Sequence, residues 1–113
     1  MAIATKKILV QIYPDAAQLV DAFVSPPKMT TVVSTVVITN HSASASSFRL
    51  SIAAAGEADA PKHYLFRDAE IEGNETISLS LDLLFESKDT IRFYSTDGTI
   101  SFAVIGTQKN IVA

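Results

Sequence analysis

The chain has 113 residues, a formal net charge of −3 and no cysteine, a length that suits one domain with one hydrophobic core. Disulfides, thiolate zinc sites and thiol nucleophiles are excluded because cysteine is absent. The nine basic residues are scattered, with Lys6-Lys7 as the only adjacent pair, and this argues against nucleic-acid binding, which needs clustered cations. The apolar fraction of 48% fits either a well-filled core or apolar subunit contacts.

The first predicted element is a strand over residues 7–13. One side of this strand is predicted to consist of Ile8, Val10 and Ile12. The apolar run is interrupted by Gln11 and Pro14 before it reaches the length of a signal peptide. No stretch of the sequence approaches the ~20 apolar residues that span a bilayer. We therefore expect a soluble protein without a cleaved signal and without a membrane partner.

Residues 15–24 admit two interpretations. They could form a helix capped by Asp15, with an apolar face made of Ala16, Leu19, Val20 and Phe23. They could also form a strand that ends before Pro26-Pro27. We favour the strand because the rest of the chain has β periodicity and the prolines follow directly.

The segment 31–39 is β-branched at all positions except Ser34. Such side chains are stiff at χ1 and suit a pleated surface, so we expect a central strand that is partly covered on both faces. A further strand is predicted over residues 63–71, which contain Tyr64, Leu65, Phe66 and Ile71.

Four other segments alternate between apolar and polar residues, which is the period of a strand with one buried face. These segments are residues 47–53, 76–83, 90–94 and 99–104. Their predicted inward residues are Phe48, Leu50, Ile52, Ile77, Leu79, Leu81, Leu83, Ile91, Phe93, Ile100, Phe102 and Val104. Each segment is therefore predicted to have one buried face and one more solvent-exposed face.

Short polar connections separate the predicted strands. Asp97-Gly98 is the strongest hairpin signal because a type I′ turn needs positive φ, which glycine supplies. Gly73-Asn74 is a second turn, and residues 41–46 and 56–62 are small polar loops. The pattern predicts an all-β fold: a single antiparallel β-sandwich, jelly-roll or immunoglobulin-like, of about eight strands.

The order of these pieces resembles a family of small β-sandwich proteins encoded among the structural genes of tailed bacteriophages. The resemblance covers roughly residues 18–107 and rests on strand and turn patterns. The matching pieces are the Val/Thr-rich strand ending at Asn40, Phe48–Ile52, Lys62–Leu65, the turn at 71–76, the Leu-rich 77–84 segment, Lys88–Ser95 and Ile100–Gly106. It implies an eight-stranded sandwich over 18–107, with no cofactor and with protein partners in a particle. Residues 1–17 are then an N-terminal arm or first strand, and 108–113 a C-terminal tail.

A search for chemistry yields no catalytic, cofactor-binding or metal-binding residue. The only histidines, His41 and His63, are interpreted as solvated or hydrogen-bonded side chains. The carboxylate pairs, Glu57 with Asp59 and Glu70 with Glu72, lie in or beside predicted turns and suit solubility better than catalysis. Two glycosylation sequons begin at Asn40 and Asn74, which we interpret as turn residues. We therefore expect a protein that is not an enzyme.

The resemblance predicts a structural protein of the virion, in the neck, tail, fibre or capsid decoration, which assembles in the host cytoplasm. Its predicted partners are other virion proteins and copies of itself, in a trimer or ring. Candidate assembly contacts are the strand-like Ile8, Leu9, Val10, Ile111 and Val112, which could add to the sheet of a neighbour. A strand within the same domain remains the alternative for residues 7–13.

A different class of function also remains open, namely a carbohydrate- or receptor-binding adhesion module. Tyr13, Tyr64 and Tyr94 could contribute to a stacking surface for sugars. They lie in separate predicted strands, however, and the sequence has no tryptophan. Packing in a core or an interface is the simpler role for these rings.

Overall fold

The computed structural model describes residues 7–110, and in this part of the chain it consists of two four-stranded antiparallel sheets packed face to face. The prediction of an all-β sandwich of about eight strands is confirmed. The strands are β1 (Lys7–Ile12), β2 (Leu19–Val24), β3 (Met29–Asn40), β4 (Ser46–Ala53), β5 (Tyr64–Ile71), β6 (Thr76–Phe85), β7 (Thr90–Ser95) and β8 (Ile100–Asn110). Two short 3₁₀ turns, Ala54–Gly56 and Pro61–His63, lie between β4 and β5. None of the helical turns within 7–110 is long enough to cross a membrane.

The strand order is that of a jelly roll. The first sheet has the order β1-β8-β3-β6 and the second sheet the order β2-β7-β4-β5. Strands therefore pair from the outside of the sequence inwards, as if one long hairpin had been wrapped around a barrel. An immunoglobulin-like sandwich groups its strands differently, so the order distinguishes between the two predicted alternatives.

The predicted hairpin at Asp97-Gly98 is wrong. This segment connects β7 in the second sheet to β8 in the first sheet, so the two strands are not neighbours. Gly98 does have a positive φ of 71°, and a Cβ at this position would lie 2.8 Å from the backbone nitrogen of Ala16. The Gly73-Asn74 turn likewise crosses between the sheets, from β5 to β6. Of the strands that follow each other directly in the chain, only β4 and β5 pair.

The core lies between the sheets and is built from the inward positions of the alternating strands. Phe93 and Phe102 stack at its centre with ring centroids 4.1 Å apart, and Phe48 packs against Phe102 at 6.3 Å. The fully buried members are Val33, Val36, Ile38, Phe48, Leu50, Ile71, Phe85, Ile91, Phe93, Ile100, Phe102 and Val104. The two-residue alternation thus identified much of the core, because a strand returns to the same face at every second residue.

The two N-terminal strands complete the edges of the sheets. Strand β2 confirms the strand interpretation of residues 15–24 for its range, Leu19–Val24. Strand β1 pairs with β8, but a bulge at Leu9 interrupts the ladder and changes which side chains point inward. As a result Leu9 and Val10 both pack against the core. Ile8 points outward and is 57% exposed, so the prediction that it shares a face with Val10 is wrong.

The C-terminal strand is longer than the sequence predicts. Strand β8 continues to Asn110, which pairs with Met29 at the start of β3. The predicted tail over 108–113 therefore begins inside the sandwich, because β3 extends to residue 29 and offers a partner ladder for these residues.

Candidate interaction surface

The outer surface of the first sheet carries almost no charge. We define the neutral face as the residues of β1, β8, β3 and β6 whose side chains point away from the core, without the last outward pair at one end of the sheet, Thr30 and Lys109. Its members are Ile8, Gln11, Val32, Thr35, Val37, Thr39, Thr76, Ser78, Ser80, Asp82, Leu84, Ser101, Ala103, Ile105 and Thr107. Asp82 is the single ionisable side chain in this set. Lys109, the next outward residue of β8 after Thr107, borders this set at one end of the sheet, where Lys7 of β1 also lies.

The neutral face exists because the polar half of each alternation in this sheet is filled by Thr, Ser and Ala, while β3 adds valines. Across the face, Val37 lies beside Ala103 of β8 and Ser78 of β6. Its margins are marked by two large apolar side chains, Ile8 at 57% exposure and Leu84 at 60% exposure. An antiparallel sheet that faces water usually alternates apolar-in with polar-out, including charges, so this composition is unusual for a solvated surface.

The outer surface of the second sheet has the opposite character. Arg92 and Asp21 form an ion pair of 2.7 Å between β7 and β2, and Arg49 pairs with Asp68 at 2.7 Å between β4 and β5. Glu57, in the 54–63 segment beside this sheet, approaches Lys62 and His63 at 3.6 Å and 3.5 Å. All ion pairs found within residues 7–110 therefore belong to the second sheet or to its flanking segment. The sandwich has one charged side and one neutral side.

A groove lies at one end of the neutral face. It encloses about 470 Å³ and is lined by Gln11, Ile12, Tyr13, Val37, Thr39, Ser101, Phe102 and Ala103. Tyr13 stands over it at 58% exposure and meets the ring of His41 edge to face, with centroids 5.5 Å apart. The Nε2 atom of His41 lies 2.8 Å from Ser101 Oγ, which confirms the interpretation of this histidine as hydrogen-bonded. An exposed aromatic ring beside hydroxyl and amide groups suits a contact surface.

On the charged side, Arg92 holds the 54–63 segment against the sheet. Its side chain is only 9% exposed, and Nη2 donates to the carbonyl oxygens of Glu57 at 2.7 Å and Gly56 at 3.4 Å. Ser51 is its cross-strand neighbour and is fully buried. The Nη1 atom of Arg92, Ser51 Oγ and both ring nitrogens of His63 have no hydrogen-bond partner within the described chain.

His63 corrects the sequence interpretation. Its side chain is only 5% exposed and forms no hydrogen bond within residues 7–110, and Glu57 Oε1 lies 3.5 Å from its Nε2 atom. It ends a 3₁₀ turn and does not begin a strand. The side chain is buried at the end of this turn, and periodicity could not reveal its burial because the 54–63 segment has no regular repeat.

Asn40 ends a strand, as the sequence indicates, but the sequence does not reveal the role of its side chain. It is the last residue of β3, it is fully buried, and its side-chain amide joins three connections of the sandwich. Nδ2 donates to the carbonyl oxygens of Ser44 at 2.9 Å and Glu72 at 3.2 Å. Oδ1 accepts from Ser42 N at 3.1 Å and from Thr99 Oγ1 at 3.0 Å. Asn40 is therefore a buried residue whose amide connects these loops, and its role goes beyond that of a turn residue.

The candidate assembly contacts are only partly accessible. Ile8 is exposed, whereas Leu9 and Val10 pack against the core of their own domain. This arrangement corresponds to the alternative in which residues 7–13 form a strand of the same sandwich. Ile111 and Val112 lie outside the described residues.

The tyrosines of the second sheet are covered by arginines. The guanidinium of Arg49 lies 4.4 Å from the ring centroid of Tyr94, and that of Arg67 lies 5.1 Å from the ring of Tyr64. The hydrogen bond from Arg49 to Asp68 raises the pKa of the guanidinium. Burial, followed by the hydrogen bond to Asp59, raises the pKa of the Tyr64 phenol. These rings are tied into polar networks and do not offer a free stacking platform.

The acidic pairs noted in the sequence serve separate local contacts. In the first pair, Asp59 accepts a hydrogen bond from the hydroxyl of Tyr64 at 2.9 Å, while Glu57 approaches Lys62 and His63. In the second pair, the backbone N–H of Glu72 donates to the Glu75 carboxylate at 3.0 Å. Within residues 7–110 there is no group of three or more His, Asp or Glu side chains arranged to hold a metal ion.

Comparison with known proteins does not assign the chain to a family. No protein-family model matches the sequence, and no curated protein or solved structure matches it either. The resemblance to tailed-phage proteins therefore stays a prediction, and the neutral face is the feature from which a function can be argued.

Proposed function

We propose that this protein is a non-catalytic structural component of a bacteriophage virion that acts by protein–protein assembly. The observation that carries the proposal is the neutral face. The viral part rests on the resemblance noted in the sequence, and the position in the particle is left open among neck, tail, fibre and capsid decoration. Its partners are other virion proteins and copies of itself, and it joins the virion in the host cytoplasm.

The composition of the neutral face suits burial against another protein. The centres of protein interfaces are depleted of charged residues, because a charge that is buried without a partner costs several kcal/mol. The neutral face has one ionisable side chain, Asp82, while the charged side has a network of ion pairs. A contact made with the neutral face therefore removes apolar area from water with little penalty from desolvated charge.

The fold is compatible with this role but does not decide it. Jelly rolls occur in viral capsid proteins and also in lectins, and one fold supports unrelated functions. The neutral face, and not the strand topology, therefore supports the proposed function.

Particle composition tests the proposal. In particles of the phage that encodes the chain, we expect the protein at a stoichiometric copy number by quantitative mass spectrometry. Val37→Lys, which places a charge on the central strand β3 of the neutral face, is expected to lower incorporation about tenfold. Leu65→Lys is the matched control, since Leu65 is 49% exposed on β5 of the second sheet, and it should incorporate normally. Absence of the wild-type protein from particles would contradict the proposal.

The groove at Tyr13 favours a second candidate, a carbohydrate-binding adhesion module. An exposed ring next to Gln11 and Ser101 provides a stacking surface together with amide and hydroxyl partners for sugar hydroxyls. In this case a glycan array should give saturable binding that Tyr13→Ala abolishes. Tyr64→Ala is the control and should preserve binding, because its ring is engaged by Arg67. An array without saturable binding removes this candidate.

A further inference from the structure

We propose that the neutral face packs against the neutral face of a second copy of this chain, around a two-fold axis. The inference rests on the proposed function, since it names the occupant of the same surface. It differs from strand addition at the terminal segments, because the contact is made by the sheet face and not by a sheet edge.

Charge is the first argument for a second copy as the occupant. In a two-fold contact the same patch supplies both sides, so a patch with charges of one sign repels itself. The neutral face avoids this repulsion because Asp82 is its single ionisable group and lies on β6, the edge strand of the sheet. Two copies can therefore meet with their central strands, β8 and β3, in contact and their Asp82 side chains away from the centre.

The distribution of side-chain size is the second argument. The central strands present mainly small or β-branched residues, including Thr35, Val37 and Ala103. Ile105 on β8 is the largest of them and lies beside Ile8, which marks one margin, while Leu84 marks the other. Two sheets that pack face to face lie about 10 Å apart, and small central side chains permit this approach. The marginal side chains then close over the flanks of the partner, where they exclude water from the centre.

The available area is the third argument. The strands β1, β8, β3 and β6 have 6, 11, 12 and 10 residues. At about 3.3 Å per residue and about 4.8 Å between strands, they give a face of roughly 600 Å². Two such faces bury about 1,200 Å² in total, which is the lower end of the range for specific, stable interfaces. The face is thus large enough for a dimer without any contribution from the second sheet.

Sedimentation equilibrium of the purified chain at about 100 µM tests the inference. We expect twice the 12.1 kDa mass of one chain, and at least a tenfold weaker dimer for Val37→Lys. Leu84→Lys weakens the dimer from the margin, whereas Leu65→Lys on the second sheet leaves it unchanged. If Val37→Lys fails to fold by circular dichroism, Leu84→Lys decides, because its side chain is 60% exposed and the substitution disturbs no core contact.

Solution scattering distinguishes this dimer from strand addition. The chain measures 49 × 31 × 19 Å along its principal axes. Face-to-face packing roughly doubles the shortest dimension, whereas pairing of sheet edges extends the sheets and leaves the thickness unchanged. A dimer of unchanged thickness, or a dimer that Val37→Lys does not weaken, would overturn the inference.

The two proposals fail separately. A wild-type chain that stays monomeric overturns the self-association. If the same chain still enters particles and Val37→Lys reduces that incorporation, the structural function stands and another virion protein is the occupant. A dimer that is absent from particles rejects the proposed function and supports only the self-association.

Discussion

Asn40→Asp is expected to lower the free energy of unfolding by about 4 kcal/mol at neutral pH. The amide nitrogen of Asn40 donates to the carbonyl oxygens of Ser44 and Glu72 and lies 3.4 Å from that of Ile71. A carboxylate at this buried position faces the same carbonyl oxygens without a proton to donate. Chemical denaturation followed by circular dichroism measures the loss.

The exposed Asn74 provides the matched control. Asn74→Asp makes the same chemical change in the turn between β5 and β6, where the side chain is in water, and it should cost less than about 0.5 kcal/mol. Burial raises the pKa of the carboxyl introduced by Asn40→Asp. That variant should therefore regain stability as the pH falls, since protonation restores one donor, and lose it as the pH rises. An equal loss in the free energy of unfolding for the two variants would contradict the proposal that the Asn40 amide holds these loops together.

Gly106→Ala is expected to destabilise the fold by about 3 kcal/mol. A Cβ at residue 106 would lie 2.0 Å from the carbonyl oxygen of Val32 and 3.1 Å from the Cα of Val33. Both atoms belong to the backbone of β3, at the irregular step where its ladder with β8 shifts register. They cannot withdraw without breaking sheet hydrogen bonds, so the strands must separate locally.

Thr107→Ala, at the next position of β8, is the control for Gly106→Ala. Thr107 points outward and is half-buried, so the substitution should cost less than about 1 kcal/mol. Thermal and chemical unfolding of both variants provide the comparison. If the Gly106→Ala protein is as stable as the Thr107→Ala protein, then β3 and β8 do not approach each other closely at this position.

The strands were predictable from the sequence because the alternation is local. Leu50, Phe93 and Phe102 follow a period of two and point into the core, and the β-branched run 31–39 lies in β3, which occupies a central position in its sheet. The strand partners were not predictable in the same way. Asp97-Gly98 is a turn, but the local sequence does not encode whether the strands after a turn pair or cross to the opposite sheet.

The candidate surface could be predicted only in its parts. The outward residues Val37, Ser78 and Ala103 are unremarkable within their own strands, and their shared lack of charge becomes visible only when β3, β6 and β8 are placed side by side. The usable signal is the scarcity of charged residues at the outward positions of these three strands. Asn40 was missed for a related reason, since its burial depends on loops that come from distant parts of the chain.

The nested strand order has a consequence for biosynthesis. Only β4 and β5 can pair soon after both have left the ribosome, whereas β1 and one edge of β3 must wait for β8, the last strand within residues 7–110. Closing such long loops costs conformational entropy before the strands gain any stabilising contact, and this cost slows folding. A translation product that stops before β8 would leave β1 without a partner and one edge of β3 with unpaired N–H and C=O groups. Such unpaired edges favour aggregation. Premature termination should therefore yield insoluble chains and not a smaller folded domain.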